Sequence, residues 1–175
     1  MAKLNTIATV NVIEGEIDVD LDQLSKILLD NYSNRISSDP SSTFYEDSTC
    51  PPNPIVDHII DQMIKDFYDI TGERIVINDY WGHIHEKGMS TNTHNHDLAY
   101  ASGVFYVAVP KGSGSICFRP SLNRSNINAY LTSFPPKEGK YYIFPGYLDH
   151  YVTRNGSDQK RIAVSFNFVK DKLKS

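Results

Sequence analysis

The sequence predicts an α+β, mainly β fold: a double-stranded β-helix, or jelly roll, with two N-terminal helices packed outside it. Hydrophobic periodicity is helical through much of residues 20–72 and drops to two after Arg74. The period-two runs are short, and turn signals separate them at regular spacing. A length of 175 residues suits one core rather than two.

The elements follow in order. Ile7, Thr9, Asn11 and Ile13 alternate with Ala8, Val10 and Val12, so residues 5–19 read as a strand or hairpin arm that Gly15 breaks. Asp20 then stands as an N-cap, and Leu21, Leu24, Ile27 and Leu28 recur on one helical face. The segment from Asn34 to Pro54 is rich in Ser, Asp, Thr and Pro and reads as a surface loop. In the second helix Ile55, Ile59, Ile60, Met63, Ile64, Phe67 and Tyr68 form one stripe, and Gly72 supplies the stop.

From Arg74 the runs are RIVINDYWGHI, GVFYVAVP, SICFRP, KYYIFP, HYVTR and RIAVSFNFV. Lys87-Gly88, Pro110-Lys111-Gly112, Pro135-Pro136, Pro145-Gly146 and Asn155-Gly156 punctuate them. About eight short strands at this spacing make a sandwich or jelly roll. One domain is expected over 1–175, with 1–72 as the strand and helices and 73–170 as the β core.

Composition narrows the function classes. A formal charge of -4 argues against general nucleic-acid binding, which runs on excess Lys and Arg. No apolar stretch approaches the length of a membrane span, and the start does not read as a secretory signal, so a cytoplasmic location is expected. For a phage-encoded chain that location would be the host cytoplasm or the virion. Cys50 and Cys117 lack metal-type spacing and read as unpaired thiols, with a disulfide between them left open.

The chemistry gathers in the second half. His94-Asn95-His96 is followed 54 residues after His96 by His150, and 11 residues later by Arg161. On a strand, His94 and His96 would point the same way, about 7 Å apart at the backbone, and so could share one ion. His150, opening the run HYVTR, is the natural third ligand, and imidazoles suit Fe, Zn, Cu or Ni alike. A second pair, His83-Ile84-His85, has the same spacing without a partner arrangement and reads as strand or loop filler.

Arg161 opens a strand whose faces differ. Ile162, Val164, Phe166 and Phe168 make one, while Arg161, Ala163, Ser165 and Asn167 make the other. A guanidinium held inside a barrel needs an anion, and the carboxylate of a small diacid matches its fork; a structural salt bridge is the alternative. Asn155-Gly156 is a strong hairpin signal, so the strands bearing His150 and Arg161 are expected to be adjacent and antiparallel.

At these residues the chain resembles the 2-oxoglutarate- and iron(II)-dependent oxygenases, specifically small prolyl-hydroxylase-like members. The resemblance rests on Trp81, Gly88, His94-Asn95-His96, Ser102-Gly103-Val104-Phe105-Tyr106-Val107, Phe144-Pro145 with His150, and Arg161 to Asn167. It implies a hydroxylase-type activity coupled to keto-acid decarboxylation, with Fe(II) and 2-oxoglutarate as cofactors. By resemblance His94 is the first ligand, His96 stands where a carboxylate is usual, His150 is third, and Arg161 anchors the cosubstrate. Tyr106 is a second contact to it. Asp97 could replace His96 if the strand bulges. Ala163 departs from an RxS pattern, and Ser165, two further on, is the residue that could compensate.

The polar loops Asn34 to Pro54 and Arg119 to Lys137 are expected to wall the site. Arg119 and Arg124 read as solvated charges, and Trp81 and Tyr100 as core aromatics, with substrate contact as the sharper alternative for each. The primary substrate stays open among a protein side chain, a nucleobase and a metabolite. Two other functions remain: a three-histidine cupin-type dioxygenase or isomerase, and a non-catalytic, metal-stabilised phage structural domain.

Overall fold

A computed structural model of the protein describes residues 9–32, 50–119 and 132–172. Its elements are β1 (Ile13–Glu16), α1 (Leu21–Asp30), α2 (Pro54–Thr71), β2 (Ile75–His85), β3 (Thr91–His94) and β4 (Ala101–Ala108). Then come β5 (Ile116–Arg119), β6 (Thr132–Phe134), β7 (Lys140–Pro145), β8 (Asp149–Val152) and β9 (Arg161–Lys170).

Both helices form where capping and periodicity place them. The Asp20 carboxylate accepts from the Gln23 amide at 2.9 Å at the start of α1. Asn53 does the same for Val56 at 3.0 Å, with Pro54 in the first turn, and α2 ends on Gly72 in the left-handed region at φ 72°. Among the described residues no helix is long and apolar enough to cross a membrane.

The strands build two antiparallel sheets facing each other, the double-stranded β-helix. One has the order β1-β7-β4-β9-β2 and the other β3-β8-β5-β6. Alternation along the central strands sorts the side chains into two cores. On the outer face of the five-stranded sheet, Phe105, Ile143, Ile162, Val164, Phe166 and Phe168 pack with Leu24 and Leu28 of α1 and Ile59 and Met63 of α2. Between the sheets lie Val104, Tyr106, Ile116, Phe118, Tyr142, Phe144, Leu148 and Ala163. The two faces read from Arg161 to Phe168 are thus an outer apolar face and an inner face that opens on a cavity.

Two expectations need correcting. Among the described residues, which leave out 5–8 of the expected arm, the first strand begins at Ile13 and runs through Gly15 rather than breaking there. A Cβ at Gly15 would sit 2.4 Å from the Tyr141 hydroxyl, so glycine is the residue that lets this edge strand lie over the tyrosine. The second correction concerns Asn155-Gly156. It does not join a hairpin, because β8 pairs with β3 and β5 while β9 pairs with β4 and β2 in the other sheet.

Asn155 is instead fully buried and organises the crossover. Its amide donates to the His85 and Gln159 carbonyls, both at 2.9 Å, and its side-chain oxygen accepts from the Ser157 amide. A buried amide with these bonds ties the crossover to the end of β2, a role the turn propensity of Asn-Gly does not announce. Cys50 and Cys117 are free and buried, and burial pushes the Cys50 thiol up to about 11.

Candidate metal centre

The three histidines converge. The nitrogens that His94, His96 and His150 offer all lie within 4.8 Å of one another. Ring centroids are 5.0 Å apart for His94 and His96, 4.3 Å for His94 and His150, and 5.3 Å for His96 and His150. His94 and His150 stand opposite each other in the β3–β8 ladder. Each places its Nδ1 at 2.9 Å from a main-chain carbonyl, Asn92 for His94 and Leu148 for His150. Nδ1–H therefore donates to the peptide, and the Nε2 lone pair is the one left for a metal.

His96 reaches the cluster by another route. β3 ends at His94, so His96 lies beyond the strand and strand alternation does not aim it. Its amide donates to the Gly146 carbonyl at 2.8 Å, and Asn95 donates to Asp149 at 2.9 Å. A Cβ on Gly146 would lie 2.1 Å from the Ala99 carbonyl oxygen and 2.8 Å from that of His96. The Pro145-Gly146 turn and the His96 loop thus touch backbone to backbone, which only glycine allows. Asp97 is exposed and outside the cluster.

Electrostatics favour neutral ligands. Burial, followed by the neighbouring His94, lowers His150 to about 3 and His96 to about 4. Phe144 packs edge-on against His150 at 4.7 Å, which keeps water from that ring. An all-imidazole donor set suits a divalent first-row ion.

The cavity behind the cluster has a volume of about 90 Å³, against roughly 10–15 Å³ needed for one water, so it accommodates a small molecule's chain. Trp81, His83, Val104, Tyr106, Ser165 and Arg161 line it from the five-stranded sheet, and Thr91, Ile116, His150 and Val152 from the other. Arg161 is 2% exposed. Its Nε and Nη1 have no hydrogen-bond partner, and among the described residues no carboxylate pairs with it. Burial depresses even this guanidinium. Among the described residues no structural salt bridge holds it, and a buried cation with free Nε and Nη1 donors fits an incoming carboxylate.

Tyr106, 1% exposed, is raised by burial and keeps its hydroxyl proton as a donor. Ser165 lines the cavity level with Trp81 across the β2–β9 ladder, and the Trp81 ring lies 5.9 Å from His96. Tyr100 points elsewhere, with its hydroxyl on the Glu73 carboxylate. Arg119 lies over Tyr151 at 5.9 Å, and Arg124 and most of both wall loops fall outside the described residues.

The pair read as filler is in fact on the inner face. His83 lines the cavity, and His85, fully buried, sits behind it with ring centroids 4.5 Å apart. The signal was present in parity: His83 and His85 share the face of Trp81, while Ile84 packs on the outer core.

The nine described strands form a double-stranded β-helix that gathers three imidazoles around one point, with a buried guanidinium whose Nε and Nη1 lack partners in the same cavity. The family model "Putative 2OG-Fe(II) oxygenase" matches residues 79–167, just over half of the chain, and the chain belongs to that family. Fe(II) and 2-oxoglutarate are the cofactors of this family.

No curated protein matches the sequence. Among solved structures, the non-heme alpha ketoglutarate dependent epimerase SnoN from nogalamycin biosynthesis is similar with a TM-score of 0.58 and 14% identity, over 67% of this chain and 57% of that one. An oxidoreductase of the 2OG-Fe(II) oxygenase family from Burkholderia pseudomallei gives 0.56 and 14%, over 72% and 62%. The chain thus spans less than two thirds of the length of either. AviO1 from Streptomyces viridochromogenes Tue57 gives 0.67 and 11%, over 94% and 91%. At these identities the likeness is one of fold.

Proposed function

We propose that the protein is a 2-oxoglutarate- and Fe(II)-dependent oxygenase that couples keto-acid decarboxylation to oxidation of a further substrate. One observation carries the reading: Arg161 is buried with unpaired donors in the same cavity as the convergent histidines. His94, His96 and His150 would hold the metal, and Arg161, Tyr106 and Ser165 the cosubstrate. When bound, the ferrous ion supplies dioxygen activation driven by cosubstrate decarboxylation.

The chain's own residues do the rest. Asn92 and Leu148 carbonyls fix the rings of His94 and His150, so the lone pairs are aligned before any ion arrives. With His96 in place of a carboxylate the three side chains contribute no negative charge, which strengthens the site's pull on anions. Arg161 and Tyr106 orient a carboxylate from the opposite end, and Ile116, Val152 and Phe144 keep bulk water out.

Anaerobic titration of the protein with Fe(II) and 2-oxoglutarate tests this. A weak visible charge-transfer band should appear and be lost in Arg161→Ala and in His150→Ala. No band in the wild type, or its persistence in both variants, would refute the assignment.

A further inference from the structure

The RxS pattern of the resembling oxygenases puts a hydroxyl two residues after the arginine, and here that place is Ala163, a methyl that offers no hydrogen bond. Its cross-strand neighbours are His83 on β2 and Tyr106 on β4. Arg161 stands one step further along the same face, opposite His85. Thus the gap left by Ala163 is flanked by an imidazole and a phenol, both lining the cavity that holds Arg161.

His83 is held by a partner that fixes how it can bond. Thr91 Oγ lies 3.3 Å from His83 Nε2 and 3.1 Å from His85 Nε2. A hydroxyl has one proton, so it donates to one ring and must accept from the other. His85 Nδ1 has no partner and sits in the field of the Arg161 cation. A bare lone pair there is favourable, whereas an N–H would add one more unpaired donor beside the guanidinium's Nε and Nη1. His85 therefore carries its proton on Nε2 and gives it to Thr91, Thr91 donates to His83 Nε2, and the His83 proton falls on Nδ1. Burial and Arg161 keep the His83 ring uncharged, down to about 3, so its proton count does not change at neutral pH.

We propose that His83 is a specificity-determining residue of the cavity, donating from Nδ1 to the distal carboxylate of the keto diacid beside Arg161 and Tyr106. Thr91 and His85 act as positioning residues that set its tautomer. The inference rests on the reading of this cavity as a keto-diacid site and adds the residue that fills the place of the missing hydroxyl.

The test compares binding of 2-oxoglutarate with that of 2-oxopentanoate, which replaces the distal carboxylate by a methyl, to the Fe(II)-loaded protein without oxygen. His83→Phe should weaken 2-oxoglutarate about tenfold, the loss of one hydrogen bond to a charged group, and leave 2-oxopentanoate unchanged. His83→Asn, which keeps a donor near Nδ1, should recover most of the loss. Equal weakening of both acids, or no change in either, would overturn the role of His83 while a normal wild-type titration left the cosubstrate reading intact. If His83→Phe does not fold, Thr91→Val decides: a fall in the preference for 2-oxoglutarate supports the proposal and an unaltered preference overturns it. A wild-type protein that binds no 2-oxoglutarate overturns both readings together.

Discussion

Replacing Arg161 by Met should make the cofactor-free protein more stable while destroying its affinity for 2-oxoglutarate. The guanidinium is 2% exposed with Nε and Nη1 unpaired, and each unsatisfied buried donor costs about 1–3 kcal/mol. Methionine keeps the apolar stem and about the same length, so little packing is lost. Taking the low end for both donors, because the cavity can admit water, gives about 2 kcal/mol of stabilisation. At this chain length that raises the melting temperature by about 4–8 °C. Calorimetry on the metal-free protein with and without 2-oxoglutarate measures both halves. Loss of stability in Arg161→Met would mean that the guanidinium has a structural partner, and the argument from its unpaired donors would fail.

Other expectations follow from the same geometry. His83 and His150 are lowered to about 3, His96 to about 4, and His85 below the usual range, each mainly by burial. The unfolded chain takes up these protons near pH 6.5 and the folded chain does not, so metal-free stability is full above about pH 6.5 and falls down to about pH 4. Urea midpoints across that window should drop with acid, and a flat profile would show that the rings are not buried neutral. Gly146→Ala drives a methyl to 2.1 Å from the Ala99 carbonyl and displaces the His96 loop, so metal affinity should fall about 10–100-fold at near-normal circular dichroism. Metal titration checks it, and wild-type affinity would sink the claim. Asn155→Ala removes two donated bonds and one accepted one from a buried crossover and should cost about 3 kcal/mol in urea unfolding. A cost under about 1 kcal/mol would contradict its role as the crossover's anchor.

Much of this was legible in the sequence, for identifiable reasons. Asp20 and Gly72 bounded the helices because capping is local chemistry. Period-two alternation separated Arg161, Ala163 and Ser165 from the apolar face because alternation is set by backbone geometry alone. What sequence reasoning missed depends on long-range pairing. Asn155-Gly156 looked like a hairpin because turn propensity does not reveal which sheet the next strand joins. His96 was aimed by alternation when in fact a contact with Gly146 aims it. His83-Ile84-His85 was passed over because its partner, Arg161, lies opposite it only once β2 and β9 pair.

The carbonyls of Asn92 and Leu148 that steady His94 and His150 belong to the main chain. Every amino acid supplies the same oxygen, so substitutions at positions 92 and 148 that keep the local path of the chain leave ring orientation untouched. Changes at these two positions should consequently be silent for ion capture where they preserve the packing of Leu148 between the sheets, whereas a shift of the strand itself would be felt at once.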